Sequence, residues 1–304
     1  MKRKIFIFLT ILLTLSIIYC GSSWYIFSTA AKVYRVPLKD TLERKNIPFE
    51  SIVFLSRAEN ESIILSGWYL NNEDSPGTII IVHGIDSNRA DPAIGLVDLA
   101  AELYLKGFSV LLFDLRYHGE SESSYRPFSA GLFEQEDILG AYDYLIKRGT
   151  RPGKIGLLGF SLGASASLLA AAQERGISGV AADSPFADIR DIISSKIPDL
   201  FLPGVTIIAK IFYKIDINLI VPENAIKNLY YPALLIHCAE DERISPEHSK
   251  RLQAASPNSQ LWLISCGNDE REHHAQGFKT FPDEYLEKVT DYFAQRFEYF
   301  NFIK

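Results

Sequence analysis

The chain has 304 residues, of which 47% are hydrophobic and 22% charged, and its net charge is −6. This composition suits a folded protein with one large core or two modest ones, and it excludes a disordered chain. Because basic residues cluster only in the first few positions, a nucleic-acid partner is excluded as well.

The first segment, residues 1–31, is basic at its start and then apolar. Lys2, Arg3 and Lys4 precede an uncharged run from Ile5 to Phe27. As a helix this run spans about 35 Å, more than the ~30 Å hydrocarbon core of a bilayer. It has no polar face and is therefore not a core helix. We predict an uncleaved single-pass membrane anchor, with the bulk of the chain on the extracytoplasmic side.

Two alternatives for this segment stay open. The small residues at 28–31 allow cleavage of a signal peptide, which would release a secreted protein. Lipoprotein processing at Cys20 is the least favoured, since Tyr19 stands where such signals carry a small residue. A short connector, residues 32–48, follows.

Residues 49–304 alternate short strands with helices. The predicted helices are Pro92–Lys106, Glu134–Lys147, Leu162–Glu174 and Pro282–Phe297. The predicted strands are Ser51–Leu55, Ile63–Leu70, Thr78–Val82, Ser109–Asp114, Lys154–Gly159, Gly179–Asp183, Ala233–Cys238 and Gln260–Ile264. Such alternation is typical of an α/β fold with a mostly parallel sheet and helices on both faces. The first two strands have no helix between them, so we expect an antiparallel hairpin at one edge.

Residues 186–228 break this alternation with apolar stretches, several prolines and no clean strand. A structureless connection of this length is uncommon in a compact domain. We therefore predict a small helical insertion, a cap, over the carboxyl edge of the sheet.

The run Gly159-Phe160-Ser161-Leu162-Gly163 lies between a predicted strand and a predicted helix. The Gly-x-Ser-x-Gly pattern of serine hydrolases requires that placement, because a sharp turn strains the serine backbone and presents its hydroxyl at a helix N-terminus. Ser161 is therefore the candidate nucleophile, and it needs a base and a group that orients the base.

The acid and the base are expected downstream of the serine, in that order. Asp241 follows the seventh strand, with Glu240 and Glu242 as rivals and a helix cap as its alternative role. His273 and His274 follow the last strand, and both qualify as the base.

An oxyanion needs two backbone N–H donors. Leu162 supplies one by its place after the nucleophile. We expect Ile85, which follows His83 and Gly84 after the third strand, to supply the other.

These motifs resemble the α/β-hydrolase superfamily from about Phe49 to the end of the chain. They are especially similar to the bacterial S33-type, lysophospholipase-like and bile-acid-acyltransferase-C-terminal-like domains. The resemblance implies the α/β-hydrolase fold with an eight-stranded sheet, and it favours His274 over His273. The matching positions are 81–84, 88–89, 114–121, 159–163, 183–186, His237, Asp241, Ile244, 274–275, Tyr285 and Val289.

The three cysteines, Cys20, Cys238 and Cys266, lack the spacing of a zinc site and are expected to be free. A pair between Cys238 and Cys266 stays open, because both follow strands that we place near each other. Cys238 also departs from the family pattern, which often has glycine there.

The sequence thus predicts a membrane-anchored serine hydrolase that cleaves carboxylic esters through Ser161, Asp241 and His274, without a metal or cofactor. A serine peptidase or an acyltransferase would use the same residues, and a non-catalytic binding module on this fold is the alternative from another class. The apolar cap favours a small-molecule acyl ester or a lipid-like substrate. Its apolar residues are Ile192, Ile193, Leu200, Phe201, Leu202, Ile207, Ile208, Ile211 and Phe212.

Overall fold

The computed structural model describes residues 2–58, 61–267 and 273–299. Met1 and residues 300–304, which belong to the predicted segments 1–31 and 49–304, lie outside the described residues. The connector is extended and ends in a 3-10 turn at Leu42–Lys45.

One sheet of eight strands forms the centre of the described chain, in the order β1-β2-β4-β3-β5-β6-β7-β8. β1 pairs with β2, and β2 with β4, in antiparallel fashion, and the other neighbours are parallel. This confirms the predicted α/β fold with its edge hairpin. The strands are β1 (Glu50–Leu55), β2 (Ile64–Leu70), β3 (Thr78–Val82), β4 (Ser109–Phe113), β5 (Ile155–Phe160), β6 (Ile177–Asp183), β7 (Leu234–Cys238) and β8 (Gln260–Ile264).

Helices cover both faces of the sheet in the part of the chain that the structure describes. They are α1 (Lys2–Ala30), α2 (Leu96–Leu105), α3 (Glu134–Lys147), α4 (Leu162–Gln173), α5 (Ile189–Lys196), α6 (Leu202–Tyr213), α7 (Pro222–Ala225), α8 (Glu247–Ala255), α9 (Gly277–Thr280) and α10 (Pro282–Tyr299). The side chains of α2 and α10 pack on one face, and those of α3, α4 and α8 pack on the other. α1 is long and apolar enough to cross a membrane by its length and composition.

A hydrophobic core lies on each face of the sheet. Each central strand contributes side chains to both cores, because successive side chains of a strand point to opposite faces. In β3, Ile80 and Val82 pack with the α3–α4 side, whereas Ile79 and Ile81 pack with the α2–α10 side. All five residues of this strand are buried. A continuous β-branched run is therefore the expected sequence of a strand that is covered on both faces.

Helix α2 begins at Leu96, so the predicted start at Pro92 is wrong. Gly95 has a φ of 83°, a left-handed conformation that an α-helix does not continue through. The Asp91 carboxylate accepts a hydrogen bond from the Ala93 N–H, which fixes a turn ahead of the helix.

The cap consists of α5, α6 and α7 with two 3-10 turns, Ile217–Leu219 and Ile226–Asn228. Ile189 and Ile193 of α5 line the same cleft as Ser161, which follows the carboxyl end of β5. The cap therefore covers the carboxyl edge of the sheet, where the loops of the parallel strands meet.

A buried ion pair joins the loop after β4 to α3. Arg116 and Asp137 are both fully buried, and their side chains approach to 2.7 Å. We expect Asp137→Ala to lower the free energy of unfolding by about 3–5 kcal/mol, because the buried Arg116 charge loses its fully buried partner and keeps only the partly exposed carboxylate of Glu136, at 3.1 Å. Urea unfolding monitored by circular dichroism measures this loss.

Glu50→Ala is the matched control, because the Glu50–Arg148 pair is exposed at 2.7 Å separation. It should cost no more than about 1 kcal/mol. Equal losses in the two variants would contradict this assignment of the buried pair.

Candidate active site

Ser161 sits at a sharp reversal between β5 and α4. Its φ of 54° and ψ of −118° lie outside the regions that non-glycine residues favour. The Ser161 N–H donates to the carbonyl oxygen of Asp183 at 2.8 Å, which ties the turn to the end of β6. The turn thus has the strained strand-to-helix geometry that the pattern predicts for a nucleophile.

Two glycines make this turn sterically possible. A Cβ on Gly159 would lie 2.4 Å from the carbonyl oxygen of Gly163. A Cβ on Gly163 would lie 2.4 Å from the carbonyl oxygens of Val82 and His83. Helix α4 can therefore approach the ends of β3 and β5 only because both side chains are absent.

Asp241 lies in the loop after β7 and faces His274. Its Oδ1 accepts the N–H groups of Arg243 and Ile244, both at 2.9 Å. Its Oδ2 lies 2.7 Å from Nδ1 of His274 and 3.2 Å from Nε2 of His237. Burial raises the pKa of Asp241, but the hydrogen bonds from His237 and His274 outweigh it and hold that pKa well below its usual range. The carboxylate is therefore charged throughout the neutral range.

The rival carboxylate of Glu240 points to a different loop. It accepts hydrogen bonds from the Ser265 hydroxyl at 2.7 Å and from the Cys266 N–H at 2.9 Å. Glu240 thus holds the end of β8, and Asp241 is the carboxylate that contacts His274.

His274 has the hydrogen-bonding pattern of a base. Its Nδ1–H donates to Asp241, which leaves Nε2 without a proton in the neutral ring. The side chain is only 8% exposed, and Nε2 has no hydrogen-bond partner among the described residues. No hydrogen bond therefore joins His274 to Ser161 in this structure, as is common in unliganded hydrolases.

A short chain of contacts brings the loop of His274 beside Ser161. Ser161 bonds to the backbone of Asp183, and the hydroxyl of the next residue, Ser184, accepts the N–H of Ala275 at 3.1 Å. Ala275 directly follows His274. The structure therefore groups the three predicted triad residues at the carboxyl edge of the sheet.

Both predicted oxyanion donors border the cleft at Ser161. Ile85 and Leu162 line it together with the serine. The carbonyl of Gly84 accepts from Nδ1 of His83 at 2.7 Å, while His83 Nε2 accepts the Leu115 N–H at 3.0 Å. Burial holds the pKa of His83 well below its usual value, so its ring is neutral. His83 thus fixes the backbone just before Ile85, a role that the sequence did not reveal.

Cys238 and Cys266 form a disulfide with a Cα–Cα distance of 5.5 Å. The expectation that all three cysteines are free is thus wrong for this pair, because parallel β7 and β8 end side by side. Cys20 is free and exposed. The bond links the end of β7, which precedes the loop of Asp241, to the segment just after β8.

The cleft at Ser161 has a volume of about 240 Å³ and a mostly apolar lining. A second chamber of about 100 Å³ lies between α1, α5 and α6. The two share Ala30, Phe128, Ala130, Ile189, Ile193 and Ile197. Ala30 belongs to α1, so the N-terminal helix forms part of the cleft, which no sequence pattern indicated.

The turn that follows β4 supports the cleft loops. Asp114 is buried and accepts the N–H groups of Arg89 at 2.7 Å and of Glu120 at 2.8 Å, and the Arg89 guanidinium also contacts it.

Among the residues that the structure describes, no group of three or more His, Cys, Asp or Glu side chains could hold a metal ion.

Comparisons with known proteins agree with this architecture. A family model described as the alpha/beta hydrolase fold matches residues 77–202. YqkD, an uncharacterized protein of Bacillus subtilis (strain 168), is 27% identical over 239 residues, which cover 75% of this chain and 76% of YqkD.

Two solved structures share the fold. The Pyrococcus furiosus esterase Pf2001 superposes with a TM-score of 0.67 at 24% identity, over 87% of this chain and 99% of that chain. A Mycobacterium tuberculosis puromycin-hydrolyzing peptidase superposes with a TM-score of 0.63 at 15% identity, over 82% of this chain and 39% of that chain.

The sheet order, the turn at Ser161 and these matches define an α/β-hydrolase architecture. The chain has the α/β-hydrolase fold, which a family model matches over residues 77–202. The fold supports a hydrolase, and it leaves the substrate to be argued from the cleft.

Asp183 is a buried carboxyl group beside this site. It accepts hydrogen bonds from the hydroxyls of Ser184 and Tyr285, both at 3.1 Å. Burial raises its pKa to about 6. Because the folded chain binds this proton more tightly than the unfolded chain, the resulting stability is present below about pH 4 and is lost as the pH rises through about 6.

We expect Asp183→Asn to remove this pH dependence. Between about pH 4 and pH 7, the wild-type free energy of unfolding should fall by roughly 2–3 kcal/mol relative to the variant. Urea unfolding of both proteins across this range measures the difference. A constant gap between the two curves would contradict the raised pKa of Asp183.

Proposed function

We propose that this protein is a membrane-anchored serine hydrolase that cleaves carboxylic esters with an acyl or lipid-like group. The observation that carries the proposal is the unpaired, buried Nε2 of His274. Asp241 orients this ring, and Ser161 lies in the adjoining cleft with a strained backbone. A charged acid, a base in one fixed tautomer and a nucleophile that lines a cleft are the parts that acyl transfer requires.

In the proposed reaction, Nε2 of His274 takes the proton of the Ser161 hydroxyl as its oxygen attacks the ester carbonyl. The N–H groups of Ile85 and Leu162 hold the oxyanion that forms. The intermediate then collapses to an acyl-enzyme, and the protonated His274 gives its proton to the leaving alcohol. Water, deprotonated by His274 in turn, releases the acid and restores the serine.

The lining of the cleft favours an apolar acyl group. Ile189, Ile192 and Ile193 line the cleft with Ser161, and the neighbouring second chamber is lined by Val205 and Ala209. Transfer of an acyl chain from water into such a lining stabilises binding by about 0.8 kcal/mol for each CH₂ group.

Three features support an anchored, extracytoplasmic enzyme. Phe27 of α1 is buried, and Ala30 lines the cleft, so removal of α1 as a signal peptide would uncover part of the site. The Cys238–Cys266 disulfide suits an oxidising compartment. The basic residues ahead of the span favour a cytoplasmic N-terminus.

A serine peptidase is the second candidate, since the same residues serve amide hydrolysis and the fold is shared with a puromycin-hydrolyzing peptidase. The cleft favours the ester, because its lining offers an acyl chain a mostly apolar surface. Hydrolysis of p-nitrophenyl octanoate should exceed that of peptide p-nitroanilides. The reverse preference would replace the esterase by a peptidase.

The two neighbouring histidines provide a matched test of the triad. We expect Ser161→Ala and His274→Ala to lower kcat/KM on p-nitrophenyl butyrate by at least about 10³-fold. His273→Ala should stay within about threefold of wild type, because Asp241 contacts His274. A large loss in His273→Ala with an active His274→Ala would exchange the two roles, and an inactive wild type would favour the binding module.

The second chamber should determine which acyl-chain length the protein prefers. Val205 lines this chamber and is buried, so Val205→Phe should lower the ratio of kcat/KM for octanoate over acetate esters by roughly tenfold. Ile207→Phe is the control, because Ile207 is 55% exposed on the outer side of the same helix. A ratio unchanged in Val205→Phe would place the acyl chain elsewhere.

A further inference from the structure

The N-terminal helix packs along the cap helix α6. Tyr19 stacks on Phe201 with ring centroids 5.8 Å apart, and Trp24 meets Phe212 edge-on at 5.3 Å. The hydroxyl of Tyr19 accepts the N–H of Gly204 at 3.1 Å. The carboxyl-terminal part of α1 and the cap thus form one packed unit.

The length of α1 fixes how deeply this unit lies. The stretch Ile5–Ile18 is exposed along its whole length and spans about 21 Å as a helix. A hydrocarbon core of about 30 Å needs about 20 residues and therefore extends from Ile5 to near Trp24. Tyr19 and Trp24, which contact the cap, thus fall within the outer part of the span.

The cap presents an apolar surface at the membrane depth of Tyr19 and Trp24. Ile207, Ile211 and Phe212 of α6 are 55%, 59% and 63% exposed, and Leu200 just before this helix is 70% exposed. We call these four side chains the cap face. Soluble surfaces rarely expose contiguous large apolar residues, whereas membrane-contacting surfaces do.

Charged residues border the cap face in a way that suits a headgroup layer. Lys210 and Lys214 are exposed near the carboxyl end of α6, and Lys210 pairs with Asp216 at 2.6 Å. Asp199 is exposed next to Leu200 and limits how deep this corner can enter. The mixed border fits insertion to the acyl–headgroup boundary, about 5–10 Å deep.

We propose that the cap face lies in the outer leaflet beside α1, so that a membrane-resident lipid ester reaches Ser161 directly from the bilayer. The second chamber, bounded by α1, α5 and α6, shares six lining residues with the cleft at Ser161 and has α6 as a common element with this surface. The occupant of the cap face is therefore lipid. Both parts of this proposal rest on the membrane anchor of the proposed function, and the substrate part rests on its ester hydrolysis as well.

Depth-dependent quenching tests the docking part with the full chain. In a Cys20→Ser background, bimane is attached singly at Ile207→Cys, Ile211→Cys or Phe212→Cys, and each protein is reconstituted in phosphatidylcholine–phosphatidylglycerol vesicles. A doxyl group placed high on the lipid acyl chain should quench each label by roughly twofold or more. Leu105→Cys is the control, since Leu105 is 67% exposed at the end of α2 on the other face of the sheet. Equal quenching at the cap face and at this control would overturn the proposal.

Activity tests the substrate part separately. Ile207→Glu combined with Ile211→Glu should lower hydrolysis of vesicle-embedded 4-methylumbelliferyl palmitate by roughly tenfold and leave that of soluble p-nitrophenyl acetate unchanged. Equal activity of variant and wild type on the embedded ester would overturn lipid entry from the bilayer. A wild type that cleaves neither ester would refute the proposed function, while a positive quenching result would still establish the docked cap.

Discussion

The backbone reversal at Ser161 is the constraint on which the other parts of this site depend. It requires α4 to begin against the ends of β3 and β5, and the missing side chains of Gly159 and Gly163 allow that approach. The same turn sets the Ser161 N–H on the carbonyl of Asp183, so the position of β6 follows from it. From β6 the contact between Ser184 and Ala275 reaches the loop that bears His274.

Electrostatics then fixes the protonation state of two groups, Asp241 and His83. Asp241 is charged because hydrogen bonds from two imidazoles and two backbone N–H groups stabilise its carboxylate. His83 stays neutral in the core and uses both ring nitrogens to hold backbone groups beside the cleft. His237 contributes from the other side, with the Ser249 hydroxyl at 2.7 Å and the Ile244 carbonyl at 2.8 Å. The histidines around the triad thus position loops, whereas His274 alone combines a carboxylate partner with a free ring nitrogen.

Much of the fold could be predicted from the sequence because each part has a local cause. The β-branched run of β3 and the glycine pattern around Ser161 indicate buried parallel strands and a strand-to-helix turn without any knowledge of distant contacts. The start of α2 could not be predicted, since it depends on the backbone conformation of Gly95. The sequence favoured Asp241 but left Glu240 as a rival, because only the side-chain contacts of the loop show that Asp241 lies against His274 and Glu240 against Ser265. The part of α1 in the cleft had no signal, because an apolar span looks alike whether or not it packs on a cap.

The N-terminal helix α1, the cap and the cleft at Ser161 are in direct contact with one another. α1 contributes Ala30 to the cleft and packs on α6, which lines the second chamber.

The central claim is that Ser161 is the nucleophile in this cleft. Peptide mapping of the full chain after treatment with a fluorophosphonate probe tests it most directly. We expect a single adduct on Ser161 that is absent from Ser161→Ala, and an unlabelled wild type or an adduct that persists in Ser161→Ala would contradict it.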